Sequence, residues 1–451
     1  MRLFRLERDA RFSNKFIILF LLPVLFEQLM VAGLGIADTF MVSFLGETAV
    51  AGVALVSRID NFAKQFFVAL AQGGSVVLSQ YIGAKDLFKS RVSLKNNITI
   101  VVSIGLSVML LMVIFKNQVL NLFFGGAEQN VLAISSTYFT VTAFSYPFVA
   151  LYYACSAAFR AMGESKIPFI ASIIMMSINL LLKFIFIFKM DLGVTGAALS
   201  TLIAMALVGF WLLIMLKSHN NKVFIDKIFK FDFNKKIAGQ ILSVSVPNGI
   251  EQGMFQLGAL LIAGLVSGLG TAAIAADSIA RSVSPLLHSM GASFNAVMMT
   301  VIGQCMGAGK SDEADFYTKH ILKLDYLFTF INAILFLLIL KPMISAFNVS
   351  SEAHTFAFQI MLLYTVGTIS VYPLSFALAS ALRGAADTKY VMMISTASMF
   401  LFRIGAAYIF VHLFRLGVLG TWVAMVLDWV IRTMIFVFRF AKGKWKLNKV
   451  I

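Results

Sequence analysis

The sequence has few charged side chains. Asp, Glu, Lys and Arg make up 13% of its 451 residues, whereas soluble domains usually contain about 25%. Hydrophobic residues make up 60%, and the mean hydropathy is +0.89. So few polar groups cannot cover the surface of two or three soluble domains. The composition therefore excludes a soluble protein and predicts a chain embedded in a membrane.

Cysteine and histidine are scarce too, with two and five residues. Cys155 and Cys305 stand alone in apolar surroundings, and the sequence contains no CxxC, HExxH or GxSxG motif. Disulfide frameworks, zinc sites and hydrolase chemistry are therefore unsupported. The segment Gly303–Ser311 resembles a phosphate-binding loop, but Gln304 stands where that motif requires glycine. We predict no enzyme activity, no metal site and no cofactor.

Long apolar runs are abundant. Crossing the hydrocarbon layer takes about 20 residues, and twelve runs reach or approach that length. They cover residues 15–37, 49–80, 92–115, 130–159, 167–188, 193–216, 237–266, 272–304, 319–340, 355–382, 389–412 and 417–440. The first run is long enough to be kept as a span and not removed as a signal peptide. The runs predict an all-α membrane protein of twelve transmembrane helices.

The net charge of +16 is distributed unevenly between alternate loops. If the N-terminus is inside, the inner segments hold 27 Lys and Arg residues and the outer loops hold four. Basic residues mark the cytoplasmic side of membrane proteins, so both termini are predicted to lie in the cytoplasm. No basic block is interleaved with aromatic residues, which argues against a nucleic-acid partner.

The chain repeats itself at an offset of 224 residues. Matched positions include Glu27-Gln28 with Glu251-Gln252 and, further along at an offset of 223, Phe159-Arg160 with Leu382-Arg383. We predict two six-helix lobes, 1–216 and 237–451, joined by a cytoplasmic linker at 217–236. Since six is even, both lobes enter from the same side and form parallel repeats about the membrane normal. Two such lobes enclose a central cavity, and their rocking would give alternating access.

Ionisable groups inside spans cost roughly 2.5–3.5 kcal/mol each on insertion scales, so each needs a reason. Glu27 and Asp38 share one face of the first helix, because eleven residues end about 20° past three full turns. Glu251 repeats Glu27, but Ile262 stands at the position that matches Asp38. This asymmetry favours ion coupling in one lobe. The alternatives are that Asp38 caps an exposed helix end and that Glu27 has a structural partner.

Asn179 and Lys183 are four residues apart and face the same side of the fifth span. Lys183 lies near the outer membrane surface, where its side chain either reaches the interface or pairs with Asp38. The remaining intramembrane charges suggest two further roles. Arg403 and Asp428 are predicted to form a structural ion pair between neighbouring spans. Candidates for the cavity, a vestibule or a gate are Glu27, Gln28, Glu251, Gln252, Arg58, Asp60, Asp277 and Arg281.

Four sequence motifs resemble those of the multidrug and toxic compound extrusion (MATE) family. They are Gly35–Ser43 followed by Leu45-Gly46, Gly303-Gln304 with Gly307-Ala308, Leu382–Thr388, and Ala424–Arg432. The resemblance implies two lobes around a V-shaped cavity in the bacterial inner membrane. It also implies a transporter, in contact with membrane lipids, that exports organic cations such as drugs and toxins in exchange for Na⁺ or H⁺. Nothing in the sequence demands more than a monomer. The 44 Phe and 23 Met residues offer apolar walls that tolerate cations.

Asp38 matches the family's essential first-helix carboxylate, and Asn179 matches its polar partner on the fifth helix. Lys183 departs from the pattern, because relatives often have a polar or acidic residue there. A cation beside Asp38 would compete with Na⁺, so we predict proton coupling. The alternative function is that of a flippase for lipids or lipid-linked precursors. A flippase needs several cationic residues around a pyrophosphate, and the candidates are few: Arg58, Lys64, Lys183 and Arg281.

Overall fold

The computed structural model describes residues 11–124, 128–226, 233–347, 349–448 and 450–451. The described residues of the first half form seven α-helices, and the sixth continues into a π-helical turn, Ile185–Lys189. The helices are α1 (Asn14–Ser43), α2 (Glu47–Gly83), α3 (Leu87–Ile114), α4 (Lys116–Phe124), α5 (Gln129–Ala161), α6 (Lys166–Phe184) and α7 (Gly193–Met215).

In the second half, the residues that the structure describes form eight α-helices, followed by a short 3₁₀ turn, Lys444–Leu447. Two π-helical segments, Pro373–Ala377 and Met399–Gly405, connect α11 to α12 and α13 to α14. The helices are α8 (Lys235–Ser267), α9 (Thr271–Gly307), α10 (Ser311–Ser345), α11 (Ser351–Ser370), α12 (Leu378–Gly384), α13 (Thr388–Ser398), α14 (Ala406–His412) and α15 (Gly417–Ala441).

In the described part of the chain, ten helices are long and apolar enough to cross a membrane, counting α6 and α13–α14 with their π-helical segments. The pair α11–α12, bent by 57°, makes an eleventh. Helix α5 has the required length of 33 residues and coincides with the predicted fourth span, 130–159, but is less apolar. Its hydroxyl-bearing residues are largely buried against α2, α3 and α7. The prediction of an all-α membrane protein is confirmed.

Two proline-containing segments match in the repeat but differ in structure. Tyr146-Pro147 lies inside the continuous helix α5, whereas the helix breaks at Tyr372-Pro373 between α11 and α12. A proline inside a helix removes one backbone hydrogen bond and crowds the preceding turn. The second half of the chain relaxes this crowding by widening into a π-helical turn, so sequence similarity did not guarantee the same backbone.

The chain folds into two compact units. The N-unit is Leu22–Gly249, and the C-unit joins Met1–Leu21 to Ile250–Ile451. Helices α1 and α8 are therefore each divided between the units, and the division lies within three residues of Pro23 and Pro247 respectively. The lobes 1–216 and 237–451 remain a prediction.

Hydrogen bonds explain why the first turns of α1 belong to the C-unit. The backbone N–H of Phe12 donates to the hydroxyl of Tyr317 at 2.8 Å. The ring Nε2 of His320 lies 2.7 Å from Oδ1 of Asn14. The start of α8 is held in the N-unit in a similar way, because the hydroxyl of Ser245 donates to the carbonyl of Leu70 at 2.9 Å.

Each unit has its own core. In the N-unit, α2, α3, α5 and α7 pack around Phe67, Tyr146 and Phe159, which are fully buried. In the C-unit, the rings of Tyr364, Tyr372 and Phe376 surround Trp429, with centroids 5.5–5.6 Å away. Tyr372 also fits against Gly291 of α9, where a Cβ atom would lie 2.4 Å from the tyrosine ring.

Candidate functional site

Two buried glutamates make the same ion pair in both units. In the N-unit, Nη2 of Arg160 lies 2.6 and 2.7 Å from the carboxylate oxygens of Glu27, which joins α1 to the last turn of α5. In the C-unit, Nη2 of Arg383 lies 2.7 Å from Glu251 and joins α8 to α12. Both members match in the sequence repeat, but the repeat does not show that they pair.

This ion pair limits what the two glutamates can do. Each carboxylate is buried and already occupied by an arginine of its own unit. Glu27 therefore has a structural partner, as the alternative prediction stated, and that partner is Arg160. The neighbouring cavity candidates are more accessible: Gln28 is exposed and Gln252 is half-buried.

Asp38 and Lys183 form an ion pair in the N-unit. The Lys183 side chain is 2% exposed and the Asp38 side chain is 36% exposed. The ammonium group thus points into the unit and does not reach an interface. Asp38 is not a helix cap either, because α1 continues for five residues beyond it, to Ser43. Two helices are tied together here by one pair of opposite charges.

Asn179 lies one turn before Lys183, but its hydrogen bond leads to a different helix. Its Nδ2 donates to the hydroxyl of Thr201 on α7 at 2.9 Å. Its Oδ1 is buried and has no hydrogen-bond partner among the residues that the structure describes. Asn179 therefore presents an acceptor next to the charged pair without joining it.

Two more ion pairs involve predicted gate or vestibule residues. In α2, Asp60 is buried and lies 2.5 Å from Nζ of Lys64, whereas the nearby Arg58 is exposed. In α9, Nε of Arg281 donates to Asp277 at 2.6 Å. The other oxygen of Asp277 accepts from the indole N–H of Trp422 on α15, at 3.0 Å.

The predicted ion pair between Arg403 and Asp428 is wrong. Asp428 pairs with Arg432, one turn further along α15, at 3.3 Å, and accepts from the hydroxyl of Ser398 at 2.5 Å. Arg403 lies in the π-helical segment after Ser398 and forms no ion pair with any described residue. Ser398 thus occupies the side of Asp428 that faces the neighbouring span. The guanidinium of Arg432 also lies over the ring of Phe376, at 4.7 Å.

One buried carboxylate that was not among the sequence candidates has no ion-pair partner within the described residues. Asp325 on α10 is fully buried, and one of its oxygens accepts from the hydroxyl of Thr329 at 3.0 Å. The other oxygen has no hydrogen-bond partner within the described ranges. Position 325 is close to the predicted start of its span, at 319, where a charge resembles an interfacial one. In the structure α10 begins at Ser311, about four turns earlier.

A comparison with known families gives a match in both halves. A family model described as MatE matches residues 23–185 and 247–409. These two regions are offset by 224 residues, the offset of the internal repeat. The chain belongs to the MatE family. The MATE membership predicted from the motifs is confirmed, and the family consists of transporters.

Curated relatives of this MatE chain are bacterial and match over nearly the full length. The protein named "Probable multidrug resistance protein NorM" of Thermotoga maritima is 24% identical over 95% of this chain and 92% of its own length. The "Probable multidrug resistance protein YoeA" of Bacillus subtilis is 22% identical over 96% and 94%. The "Multidrug export protein MepA" of Staphylococcus aureus is 28% identical over about half of each chain.

Solved structures share the MATE fold. A MATE protein crystallised in complex with MaL6 has a TM-score of 0.89 at 18% identity, over 96% of this chain and 97% of that one. A structure described as "Reverse polarity of binding pocket suggests different function of a MOP superfamily transporter from Pyrococcus furiosus" has a TM-score of 0.88 at 18% identity, over 96% of this chain and 97% of that one. With its many apolar helices, the chain is a multi-pass MATE transporter of the bacterial inner membrane.

Proposed function

We propose that this MATE chain exports hydrophobic, often cationic compounds from the bacterial cytoplasm in exchange for protons. Its full-length relatives carry the names of multidrug resistance proteins. The observation that carries the coupling part of the proposal is the ion pair between Asp38 and Lys183. The proposal includes cytoplasmic termini and a monomeric transporter in contact with lipid.

The lysine favours protons over sodium for a physical reason. A sodium ion at Asp38 would lie next to the buried ammonium of Lys183, and two like charges repel strongly where the dielectric constant is low. A proton avoids this repulsion, because it neutralises the Asp38 carboxylate and adds no second cation. The pair is also neutral overall without any sodium, so the carboxylate has no need of a metal counter-ion.

Protonation would change which arrangement of α1 and α6 is favoured. With Asp38 neutral, Lys183 would be a buried charge without its partner, which is costly. The two helices would then gain by separating or by admitting water. A carboxylate that binds Lys183 in one state and a proton in another gives the N-unit two arrangements whose populations the proton gradient shifts.

The experiment that tests the proposal uses proteoliposomes loaded with a fluorescent cationic drug. A pH gradient and a Na⁺ gradient are imposed separately, and drug movement is followed. We expect the pH gradient to drive transport and the Na⁺ gradient to have little effect. Transport that requires Na⁺ and ignores pH would overturn the coupling. A chain that leaves the drug gradient unchanged under both conditions would overturn drug export.

The flippase alternative is less well supported. Three of its four candidate cations, Lys64, Lys183 and Arg281, are paired with carboxylates in their own units. A pyrophosphate would have to displace those carboxylates before it gained the charges. Scrambling of a labelled lipid-linked precursor, measured in the same liposomes, would nevertheless reveal such an activity if drug transport were absent.

A further inference from the structure

The carboxyl group of Asp325 is unlike the other intramembrane acids. The six acids that the sequence singled out each have a Lys or Arg nitrogen within 4 Å; they are Glu27, Asp38, Asp60, Glu251, Asp277 and Asp428. Asp325 has no such neighbour in the described part of the chain. Its Oδ1 accepts one hydrogen bond, from Thr329, and its Oδ2 is buried without a partner.

An ionised carboxylate in this setting would be exceptionally costly. Buried charges are tolerated when they are paired and hydrogen-bonded, and they otherwise become neutral by gaining or losing a proton. One hydroxyl donor stabilises a negative charge much less than the Lys and Arg partners stabilise the paired carboxylates. A protonated Asp325 needs no counter-ion, and its Oδ2 would carry the proton. The neutral acid is therefore the form that fits the described conformation.

Buried side-chain oxygens without described partners occur on elements that pack against α10. Helices α9 and α10 run antiparallel, and Nδ2 of Asn332 donates to the carbonyl of Leu287 at 2.8 Å. Counting seven residues along each helix from this contact places Asp325 level with Phe294, next to Asn295. Oδ1 of Asn295 is buried without a partner, and so is Oγ of Ser375 in the π-helical turn that packs against α10.

The titratable groups on the packed elements supply no free positive charge. On α9, Nδ1 of His288 is hydrogen-bonded to the hydroxyl of Tyr364 on α11, at 3.0 Å. Tyr372, just before the π-helical turn, stacks on Phe376. Arg383 of α12 is held by Glu251.

On α10 itself, Lys323 is exposed, and the hydroxyl of Tyr326 donates to the carbonyl of Ser370 at 3.0 Å. The other cations of α9 to α12 are exposed, hydrogen-bonded or ion-paired as well; they are Arg281, Lys319, His320, Lys341 and His354. None of them neutralises Asp325.

We propose that Asp325 is a second proton-carrying site of this transporter, located in the C-unit and loaded in the described conformation. The role of its proton in antiport rests on the proposed function, whereas its protonation does not. The site has no counterpart in the repeat, since Val101 stands 224 residues earlier. It adjoins the break between α11 and α12, whose irregular backbone offers a place where a rearrangement would admit water and release the proton.

Infrared spectroscopy of the purified transporter tests the protonation directly, because a protonated carboxyl absorbs apart from amide and carboxylate groups. At neutral pH we expect this band in the unmodified protein and its loss in Asp325→Asn. The matched control is Asp277→Asn, which changes a buried but ion-paired aspartate of the same unit and should keep the band. Thr329→Val removes the only donor to Asp325 among the described residues, so its band should persist to higher pH.

Two results would overturn the inference. One is an Asp325→Asn spectrum in which the band is as intense as in the unmodified protein. Asp325 would then be ionised in the unmodified protein. The other is loss of the band when Na⁺ is added at constant pH, which would make the site a sodium site. Asparagine mimics the neutral acid in size and charge, so Asp325→Asn should fold. The Thr329→Val spectrum gives an independent readout of the protonation of Asp325.

A second measurement connects the site to transport. In proteoliposomes, Asp325→Asn should lower the number of protons exchanged per drug molecule, and unchanged stoichiometry would contradict a role in antiport. If the unmodified protein exchanges no protons for drug but shows the infrared band, the proposed proton coupling fails and the protonated carboxyl stands. The two failures are therefore distinguishable.

Discussion

Glu27 and Arg160 form an ion pair that joins α1 to the end of α5, through both oxygens of one carboxylate. The C-unit repeats it with Glu251 and Arg383. A feature kept in both halves of the repeat is suited to holding a helix in place, whereas Asp38 and Lys183 occur in the N-unit alone. The repeated pair and the unrepeated pair thus have different tasks, the first structural and the second proposed for coupling.

The repeated pair leads to a prediction about stability. Glu251→Gln should destabilise the protein by about 1.5–3 kcal/mol, the value of a hydrogen bond to a charged group, and should impair transport less than Asp38→Asn. Thermal unfolding in detergent measures the first effect and drug transport the second. The double variant Glu251→Gln/Arg383→Gln should lose less stability than the sum of its single changes. Additive losses would contradict the coupling between the two residues.

The coupling pair predicts a loss of function without a loss of fold. Asp38→Asn should abolish transport driven by a pH gradient, because asparagine neither binds a proton nor balances the charge of Lys183. The protein should still insert and fold, with a lower thermal midpoint because Lys183 keeps its buried charge without a partner. Asp226→Asn, at an exposed carboxylate that pairs with Arg91, is the control. Full transport by a well-folded Asp38→Asn protein would rule out the role of Asp38.

Replacing Lys183 should change which ion drives transport. Lys183→Asn leaves Asp38 without its buried partner and places an amide beside it, so a sodium ion would meet oxygen ligands and no repelling charge. We expect transport by this variant to gain a dependence on Na⁺. Sodium titrations of transport in proteoliposomes measure the change. A variant that stays driven by protons and indifferent to Na⁺ would show that Lys183 does not select the ion.

The corrected pairing of Asp428 is testable with double-mutant cycles. Asp428→Asn and Arg432→Gln should each destabilise the protein, and their effects should be strongly coupled because the two side chains form a buried ion pair. Asp428→Asn and Arg403→Gln should be coupled more weakly. Free energies of unfolding in denaturant measure both cycles. Stronger coupling with Arg403 would restore the pairing predicted from the sequence.

Asp86, in the loop between α2 and α3, predicts a contribution to stability that depends on pH. The backbone N–H of Lys89, followed by its ammonium, lowers the pKa of Asp86, which caps α3 through a 3.0 Å hydrogen bond. Because the folded-state pKa is below the unfolded one, the stabilisation is present above about pH 4 and is lost as pH falls through the folded pKa. Asp86→Ala should cost about 0.5–2 kcal/mol at neutral pH. A thermal midpoint unaffected by Asp86→Ala would contradict the cap.

Much of the architecture could be predicted from the sequence, because a lipid environment strongly restricts the backbone conformations that a chain can adopt. Only segments that satisfy their own backbone hydrogen bonds can cross, so each long apolar run had to be a helix. The less apolar helix α5 was also found, since the run 130–159 was long enough. The break at Pro373 was not, because Pro147 also follows a tyrosine and stays in a continuous helix.

The sequence by itself determined the helices, the 224-residue repeat, the MATE family and the identity of most intramembrane charges. Composition and spacing contain that information directly. The tertiary structure alone decided which charges meet. Glu27 and Arg160 are 133 residues apart in sequence and in contact in space. Asp428 contacts Arg432 and Ser398 and does not pair with Arg403. The isolation of Asp325 was equally invisible, because the absence of a partner is a property of every helix that packs around a residue.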